Sequence, residues 1–154
     1  MKKVMIGAIV AMNSEAEILL GQTEVFRSLT VSGKEVYVGR AFGKDVTVVV
    51  CGVGKVNAAL GAQLAVSKFD AEKLFNFGVA GGLNKRTALA GVYQIEKAVQ
   101  FDFDLSQLNG TKVGTLDEYK ENYLKLNTFK APFEKRKLGT ADRFNDSTED
   151  FRLL

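Results

Sequence analysis

Two glycine-rich turns, each directly after a strand-like run of apolar residues, constrain this chain more than any other feature of its sequence. The first follows residues 46–51 and reads GVG at 52–54, and the second follows residues 74–77 and reads GVAGG at 78–82. A β-branched or aromatic run that breaks into glycine is typical of a buried strand leaving its sheet. Glycine also lets backbone N–H groups approach a ligand closely, because it has no Cβ. Since ligands of open α/β sheets bind outside the carboxyl ends of the strands, the two turns together predict one small-molecule pocket.

The composition indicates one globular domain over residues 1–154. The chain has 154 residues, of which 46% are hydrophobic and 25% charged, so it can fill a core. Its formal net charge of +3 is small and does not demand an acidic partner. Cys51 is the single cysteine, which rules out an intramolecular disulfide and favours a cytoplasmic location. Because Cys51 closes a strand, we expect it to be a small buried hydrophobe rather than a nucleophile.

The sequence contains no histidine. This absence excludes Ser–His and Cys–His nucleophile pairs and the usual histidine-containing zinc sites. Acid–base chemistry must therefore use carboxylates, lysine, tyrosine or water.

The N-terminus has two interpretations. Lys2 and Lys3 followed by the apolar residues 4–12 resemble a short signal peptide. The run contains Gly7 and leads into Glu15 without a clear cleavage site, so a first buried strand is favoured. No segment is long enough to span a membrane, and we expect no membrane partner.

Hydrophobic patterns and turn residues predict a mixed α/β order of elements. An amphipathic helix is predicted over 56–67, with Val56, Leu60 and Leu64 along one face. A shorter helix is predicted to begin with Ser14 as N-cap and Glu17 at the third helical position. The predicted strands or extended segments are 3–10, 23–29, 34–42, 46–51, 73–77, 92–101 and 138–140.

Two segments near the C-terminus leave questions of function open. Residues 120–137 carry six basic and two acidic residues with interleaved aromatics, which is compatible with a nucleic-acid patch. A solvated helix or loop face is the favoured interpretation, so no nucleic-acid partner is predicted. Residues 147–150 have the pattern of another helix start, and the sequence stops before that helix would complete two turns. The sequence is therefore expected to be one domain whose C-terminal part is missing.

Glu15 and the first glycine turn carry the main chemical alternatives. The start of the first helix lies just beyond the first strand, so Glu15 is either a charged base at the pocket or an ordinary first-turn acid. In the first turn, Asn57 stands where the third glycine of a GxGxxG fingerprint would be. A dinucleotide-binding dehydrogenase is therefore not favoured, and a complete P-loop is absent as well.

Three segments in this order resemble one enzyme family: IGAIVAMNSEAEIL, CGVGKVNAALGAQLA and FNFGVAGGL. The family is the 5′-methylthioadenosine/S-adenosylhomocysteine nucleosidases of the nucleoside phosphorylase superfamily, and the later segments VYQIEKAVQFDFDLS and LGTADRFNDS are similar to its next blocks. The resemblance implies an α/β/α sandwich around a mixed, twisted sheet and a homodimer. It also implies hydrolysis of the adenine N-glycosidic bond of a small-molecule nucleoside, without cofactor or metal.

The resemblance assigns roles residue by residue. The family's glutamate that activates water matches Glu15. Residues 103–110 match a loop that reaches into the partner subunit's pocket, and Asn145 follows the aromatic that stacks on adenine. The implied substrate-binding positions are Ala11, Met12 and Val53 near the ribose, Val79, Ala80 and Gly81 at the floor, and Phe144 and Asn145 at the base.

This chain also departs from the family pattern. Val79 stands where the nucleosidases commonly carry a hydroxyl residue. The family's Met-Glu segment, which holds the ribose hydroxyls, and its Ser-Asp segment, which contacts adenine N7, lie beyond residue 154. The expectation is therefore impaired hydrolysis, and the alternative is a non-catalytic purine-nucleoside-binding or remnant protein of the same fold. Asp102, Asp104 and Asp142 are candidate substitutes, but turn or structural roles are favoured for them.

Overall fold

A computed structural model of the chain describes residues 4–83 and 87–144, and the chain divides into two compact units. The first unit is Met1–Ala80 and the second is Gly81–Leu154. The described part of the first unit contains these elements: β1 (Met5–Val10), α1 (Asn13–Gly21), β2 (Thr23–Val31), β3 (Lys34–Ala41), β4 (Lys44–Val50), α2 (Lys55–Phe69) and β5 (Lys73–Asn76).

The first unit is built on a mixed five-stranded sheet in the order β2-β3-β4-β1-β5. Strand β1 is the fourth of the five and pairs in parallel with β4 on one side and with β5 on the other. Strands β2, β3 and β4 form consecutive antiparallel hairpins, whose turns place Gly33 and Gly43 at φ angles of 73° and 71°. Glycine tolerates this left-handed region, which is why it can occupy both of these hairpin turns. The predicted buried strand near the N-terminus is likewise confirmed, and it spans Met5–Val10.

Side chains alternate between the two faces of this sheet, and each face is covered by one helix. Ile9, Val36 and Val49 pack with Leu64 and Ala65 of α2. The intervening residues of the strands pack with α1, and this second cluster consists of Ala8, Val10, Ala16, Ala41, Val46 and Val48 with Leu19 and Leu20 beside it. Successive strand residues point to opposite faces, which explains the division. The predicted α/β fold with helices on both sides of a mixed sheet is therefore confirmed, with one helix on each face here.

The prediction for the face of α2 was wrong in part. Leu64 is 9% exposed, whereas Val56 is 69% and Leu60 is 54% exposed. The helix lies too close to the sheet for large side chains, because a Cβ added at Gly61 would lie 2.6 Å from the Cβ of Cys51. Small residues therefore face the sheet, and the larger apolar ones lie on the outer face.

The second unit contains a three-stranded sheet among its described residues, in the order β7-β6-β8. Its elements are β6 (Tyr93–Gln100), α3 (Ser106–Asn109), β7 (Leu124–Lys125) and β8 (Glu134–Thr140). β6 pairs with β7 antiparallel and with β8 in parallel. The side-chain amide of Gln94 in β6 holds the loop between β7 and β8. It donates to the backbone oxygen of Phe129 at 3.1 Å and accepts from the N–H of the same residue at 2.6 Å.

The basic segment at 120–137 contains β7 and the beginning of β8, so the helical alternative for it was wrong. Most of its charged side chains are exposed, as a solvated face requires. Cations of the sheet also lie over two tyrosine rings, with Lys97 4.1 Å from the ring centre of Tyr123 and Arg136 5.2 Å from that of Tyr93. Those ring faces are therefore engaged within the unit itself.

The described residues contain neither a candidate membrane-spanning helix nor a candidate metal-binding cluster. No helix in residues 4–83 and 87–144 is both long and apolar enough to cross a membrane. The same residues hold no group of three or more His, Cys, Asp or Glu side chains that could bind a metal ion. The predicted helix start at 147–150 lies outside the described residues.

Candidate active site

The carboxyl ends of β4, β1 and β5 lie side by side at one edge of the first unit's sheet. The pairing of β4 with β1 continues past the strands, since the N–H of Cys51 donates to the oxygen of Val10 at 2.8 Å and that of Gly52 to Ala11 at 3.1 Å. On the other side, the amide of Asn76 in β5 donates to the backbone oxygen of Ile9 at 3.2 Å. Both glycine turns and the start of α1 therefore leave the sheet at this edge.

Glu15 occupies a different position in the first turn of α1 from the one predicted. Helix α1 starts at Asn13 with Met12 as N-cap, so Glu15 is the third helical residue. Its carboxylate accepts a hydrogen bond from the backbone N–H of Met12 at 3.2 Å. The predicted capping roles of Ser14 and Glu17 were therefore wrong by two residues, because Glu15 itself reaches back to the helix start.

Three backbone N–H groups hold the carboxylate of Glu15. Oε2 accepts from Ala11 at 3.0 Å and from Met12 at 3.2 Å, and Oε1 accepts from Val79 at 3.1 Å. A carboxylate has about four lone-pair positions. Among the described residues, three of these positions have donors, and the fourth lies on Oε1. The side chain is therefore fixed in orientation with one acceptor position left for another group.

Gly78 makes this arrangement possible. A Cβ at position 78 would lie 2.4 Å from Oε1 of Glu15, a distance that no side chain could accept without displacing the carboxylate. The second glycine turn thus makes room for the side chain of Glu15. The sequence pattern indicated a close approach to this turn but did not identify the group that approaches.

The first glycine turn is held by Asn57. Gly52 and Gly54 have φ angles of 91° and 103°, which residues other than glycine rarely adopt. The amide nitrogen of Asn57 donates to the backbone oxygen of Val53 at 2.7 Å. The residue that breaks the GxGxxG pattern therefore has a role in this turn, and that role was missed by the sequence reasoning.

An open depression of 480 Å³ lies at the same edge of the sheet. Its lining includes Ala11, Met12, Lys34 and Gly52. Ala11 and Met12 are two of the residues expected at the ribose, and the Val53 side chain near them is 69% exposed. This depression is the candidate pocket that the first unit provides.

The remaining expected substrate-binding residues are distributed over both units. Val79 is 84% exposed, and it and Ala80 close the first unit. Gly81 and Phe144 belong to the second unit, where Phe144 is 91% exposed. Asn145 lies outside the described residues. The structure therefore brings Glu15 together with Ala11, Met12 and Val79 within one unit.

Comparisons with known proteins identify the family. Residues 5–148 match the family model described as the phosphorylase superfamily. The chain belongs to this superfamily.

One curated relative in this superfamily is the 5′-methylthioadenosine/S-adenosylhomocysteine nucleosidase of Listeria monocytogenes, which is 35% identical over 106 residues. The match covers 69% of this chain and 46% of the relative, so the chain spans about half the length of the curated relatives it matches.

Solved structures agree on the fold. The nucleosidase of Neisseria meningitidis in complex with methylthio-immucillin-A is 25% identical with a TM-score of 0.85, over 97% of this chain and 69% of that chain. The futalosine hydrolase of Helicobacter pylori is 22% identical with a TM-score of 0.86, over the same two shares of the chains. Proteins named for different substrates therefore share the fold of this phosphorylase-superfamily chain.

Cys51 has the structural role predicted for it in this superfamily member. The side chain is 2% exposed, and Sγ donates to the backbone oxygen of Val10 at 3.1 Å. Burial raises the pKa of the thiol above the ordinary value of 9.0, and the charge of Lys34 opposes that change only in part. A protonated thiol is a poor nucleophile, so Cys51 stabilises the core at the end of β4.

Two of the three aspartates considered as substitutes accept hydrogen bonds from backbone N–H groups. Oδ1 of Asp104 accepts from the N–H of Ser106 at 2.8 Å, and hydrogen bonds from Ser106 lower the pKa of Asp104. Oδ2 of Asp102 accepts from the N–H of Asp142 at 2.8 Å. The Asp104 contact is a local turn contact and the Asp102 contact is a structural one across 40 positions of sequence, in line with the turn or structural roles that were favoured.

Proposed function

We propose that this phosphorylase-superfamily chain takes part in hydrolysis of the adenine N-glycosidic bond of 5′-methylthioadenosine or S-adenosylhomocysteine. The observation that carries the proposal is the carboxylate of Glu15, which three backbone N–H groups fix at the sheet edge between β1 and the turn after β5. The 35% identity to a curated nucleosidase supports the choice of substrate class. Glu15 lies in the segment IGAIVAMNSEAEIL, where its position matches the family's water-activating glutamate.

In the proposed reaction, Glu15 is the general base. The fourth acceptor position, on Oε1, takes a hydrogen bond from the attacking water. The water oxygen forms a bond to C1′ of the ribose while the C1′–N9 bond breaks and its electron pair leaves with adenine. One water proton passes to Glu15, the other stays on the new C1′ hydroxyl, and the departing adenine takes up a proton from solvent water, which Glu15 later restores by releasing its own. The transition state has oxocarbenium character as in glycoside hydrolysis.

The substrate contacts form part of the same proposal. Ala11, Met12 and Val53 would contact the ribose, and Val79, Ala80 and Gly81 would form the floor of the pocket. Phe144 would stack on adenine, with Asn145 beside it.

We further propose that the chain works as a cytoplasmic homodimer without nucleic-acid or membrane partners. The outward-facing Val56 and Leu60 give it apolar surface for association.

A second candidate function is binding of a purine nucleoside without hydrolysis. The specific observation in its favour is that Asp102 and Asp104, two of the three aspartates considered as substitute acids for the leaving adenine, both accept backbone N–H bonds within the chain itself. Without such a donor, the departing base would lose an interaction worth about 10²- to 10⁴-fold in rate.

Adenine release and nucleoside binding, measured on the same preparation, distinguish these functions. The chain is incubated with 5′-methylthioadenosine, S-adenosylhomocysteine, futalosine or uridine, and the free base is quantified by chromatography at protein concentrations above substrate. Calorimetry gives the affinity for each nucleoside. Adenine release from the first two substrates supports hydrolysis, and binding without release supports the second function. Absence of both binding and release would overturn the proposal.

A further inference from the structure

Two consecutive side-chain hydrogen bonds connect two loops at the candidate pocket. Lys34 is the first residue of β3, and its Nζ donates to Oδ1 of Asn57 at 2.5 Å. The other end of the same amide donates from Nδ2 to the backbone oxygen of Val53 at 2.7 Å. Asn57 thereby links the β2–β3 turn to the glycine turn between β4 and α2.

The glycine turn needs such a link. Gly52 and Gly54 both have positive φ angles, and glycine has access to many other backbone conformations. A Cβ at position 52 would lie 3.3 Å from Nδ2 of Asn57, so the amide packs directly on the turn. Lys34 fixes which end of the amide faces the turn, because its ammonium group can only donate and must meet the oxygen.

We propose that Lys34 and Asn57 are positioning residues, which hold the Gly52–Gly54 turn in the conformation that presents Val53 to the nucleoside. The inference rests on the proposed function, and it extends it to two residues that need not touch the substrate. Lys34 contributes a hydrogen bond from a charged group, which is stronger than one between neutral partners. Its removal would free the Asn57 amide to rotate, and the Val53 carbonyl would lose a fixed donor.

The amide hydrogen of Gly52 reports on the turn directly, since it donates to the oxygen of Ala11 at 3.1 Å. Hydrogen exchange at this amide is compared in the wild type and in the Lys34→Met, Asn57→Ala and Lys34→Met/Asn57→Ala variants. Lys44→Met is the matched control, because Lys44 also begins a strand directly after a turn with two positive φ angles. Lys34→Arg retains a charged donor and tests rescue.

If the pair acts as a unit, both single variants and the double variant accelerate exchange of Gly52 to the same extent. Their affinity for 5′-methylthioadenosine falls about tenfold, because the loosened turn must then be ordered when the nucleoside binds. Lys44→Met changes neither quantity, and Lys34→Arg recovers most of both.

Two failures are separable. Unchanged exchange in Lys34→Met, or effects that add in the double variant, would overturn the positioning role whether or not the chain binds a nucleoside. A wild-type chain that binds no nucleoside would instead overturn the proposed function. If Asn57→Ala does not fold, the half-exposed Lys34 still allows the comparison of Lys34→Met with Lys44→Met.

Discussion

The carboxylate of Glu15 accepts a hydrogen bond from the backbone N–H of Val79 at 3.1 Å, across 64 positions of sequence. This bond joins the start of α1 to the turn after β5. Helix α1 and this turn follow the neighbouring parallel strands β1 and β5, so the bond connects the chain segments that leave the two strands. The orientation of the candidate base therefore depends on the second glycine turn as much as on its own helix.

Gly78→Ala tests that dependence. The new Cβ would lie 2.4 Å from Oε1 of Glu15, so the carboxylate or the turn must move and the bond to Val79 is lost. We expect the free energy of unfolding to fall by about 1–3 kcal/mol and adenine release to fall with it. Denaturant unfolding and the release assay measure the two effects.

Gly21→Ala is the control for this substitution. No atom lies within 4 Å of a Cβ added at Gly21, the last residue of α1. Alanine should change the free energy of unfolding there by less than about 1 kcal/mol. Equal effects of the two substitutions would contradict the steric account of Gly78.

Two leucines of α2 test which face of the helix is buried. Leu64 is 9% exposed and packs with Ile9 and Val49, whereas Leu60 is 54% exposed. Leu64→Ala should lower the free energy of unfolding by about 2–5 kcal/mol, and Leu60→Ala by less than about 1 kcal/mol. Denaturant unfolding of both variants checks this, and a larger loss for Leu60→Ala would show that the outer face is covered in solution.

Cys51 should make stability depend on alkaline pH. Because burial raises the pKa of the thiol above 9.0, the folded chain keeps this proton to higher pH than the unfolded chain does. The resulting stabilisation is complete below the unfolded pKa and is lost as the pH rises through the folded pKa. Wild-type unfolding free energy should therefore fall more steeply above about pH 9 than that of Cys51→Ala. Parallel slopes for the two proteins would contradict a raised thiol pKa.

The sheet and its edge could be predicted from sequence because their signals are local. Runs such as residues 46–51 carry the strand pattern, and the glycines after them mark where each strand leaves the sheet. The face of α2 could not be predicted in this way. It depends on the short distance between Gly61 and Cys51, and periodicity gives no information on how closely a helix approaches a sheet.

The candidate site could likewise be predicted only where its signal is local in the sequence. Family resemblance identified Glu15 as a base, but its position at the start of α1 was predicted two residues wrong. Its bond to Val79 and the link from Lys34 to Asn57 connect segments far apart in sequence, through a backbone N–H and an ordinary polar pair. Such contacts leave no local pattern, so only the folded structure reveals them.

Glu15→Gln is the most direct test of the central claim that this carboxylate activates water. Glutamine has nearly the same size but cannot accept a proton from water at neutral pH, whereas Glu17→Gln changes an exposed carboxylate two residues along the same helix. Adenine release from 5′-methylthioadenosine is measured for both variants and the wild type, with calorimetry to confirm binding. We predict that Glu15→Gln lowers the rate at least about 100-fold while Glu17→Gln leaves it unchanged. Release by Glu15→Gln at the wild-type rate would contradict the assignment of Glu15 as the base.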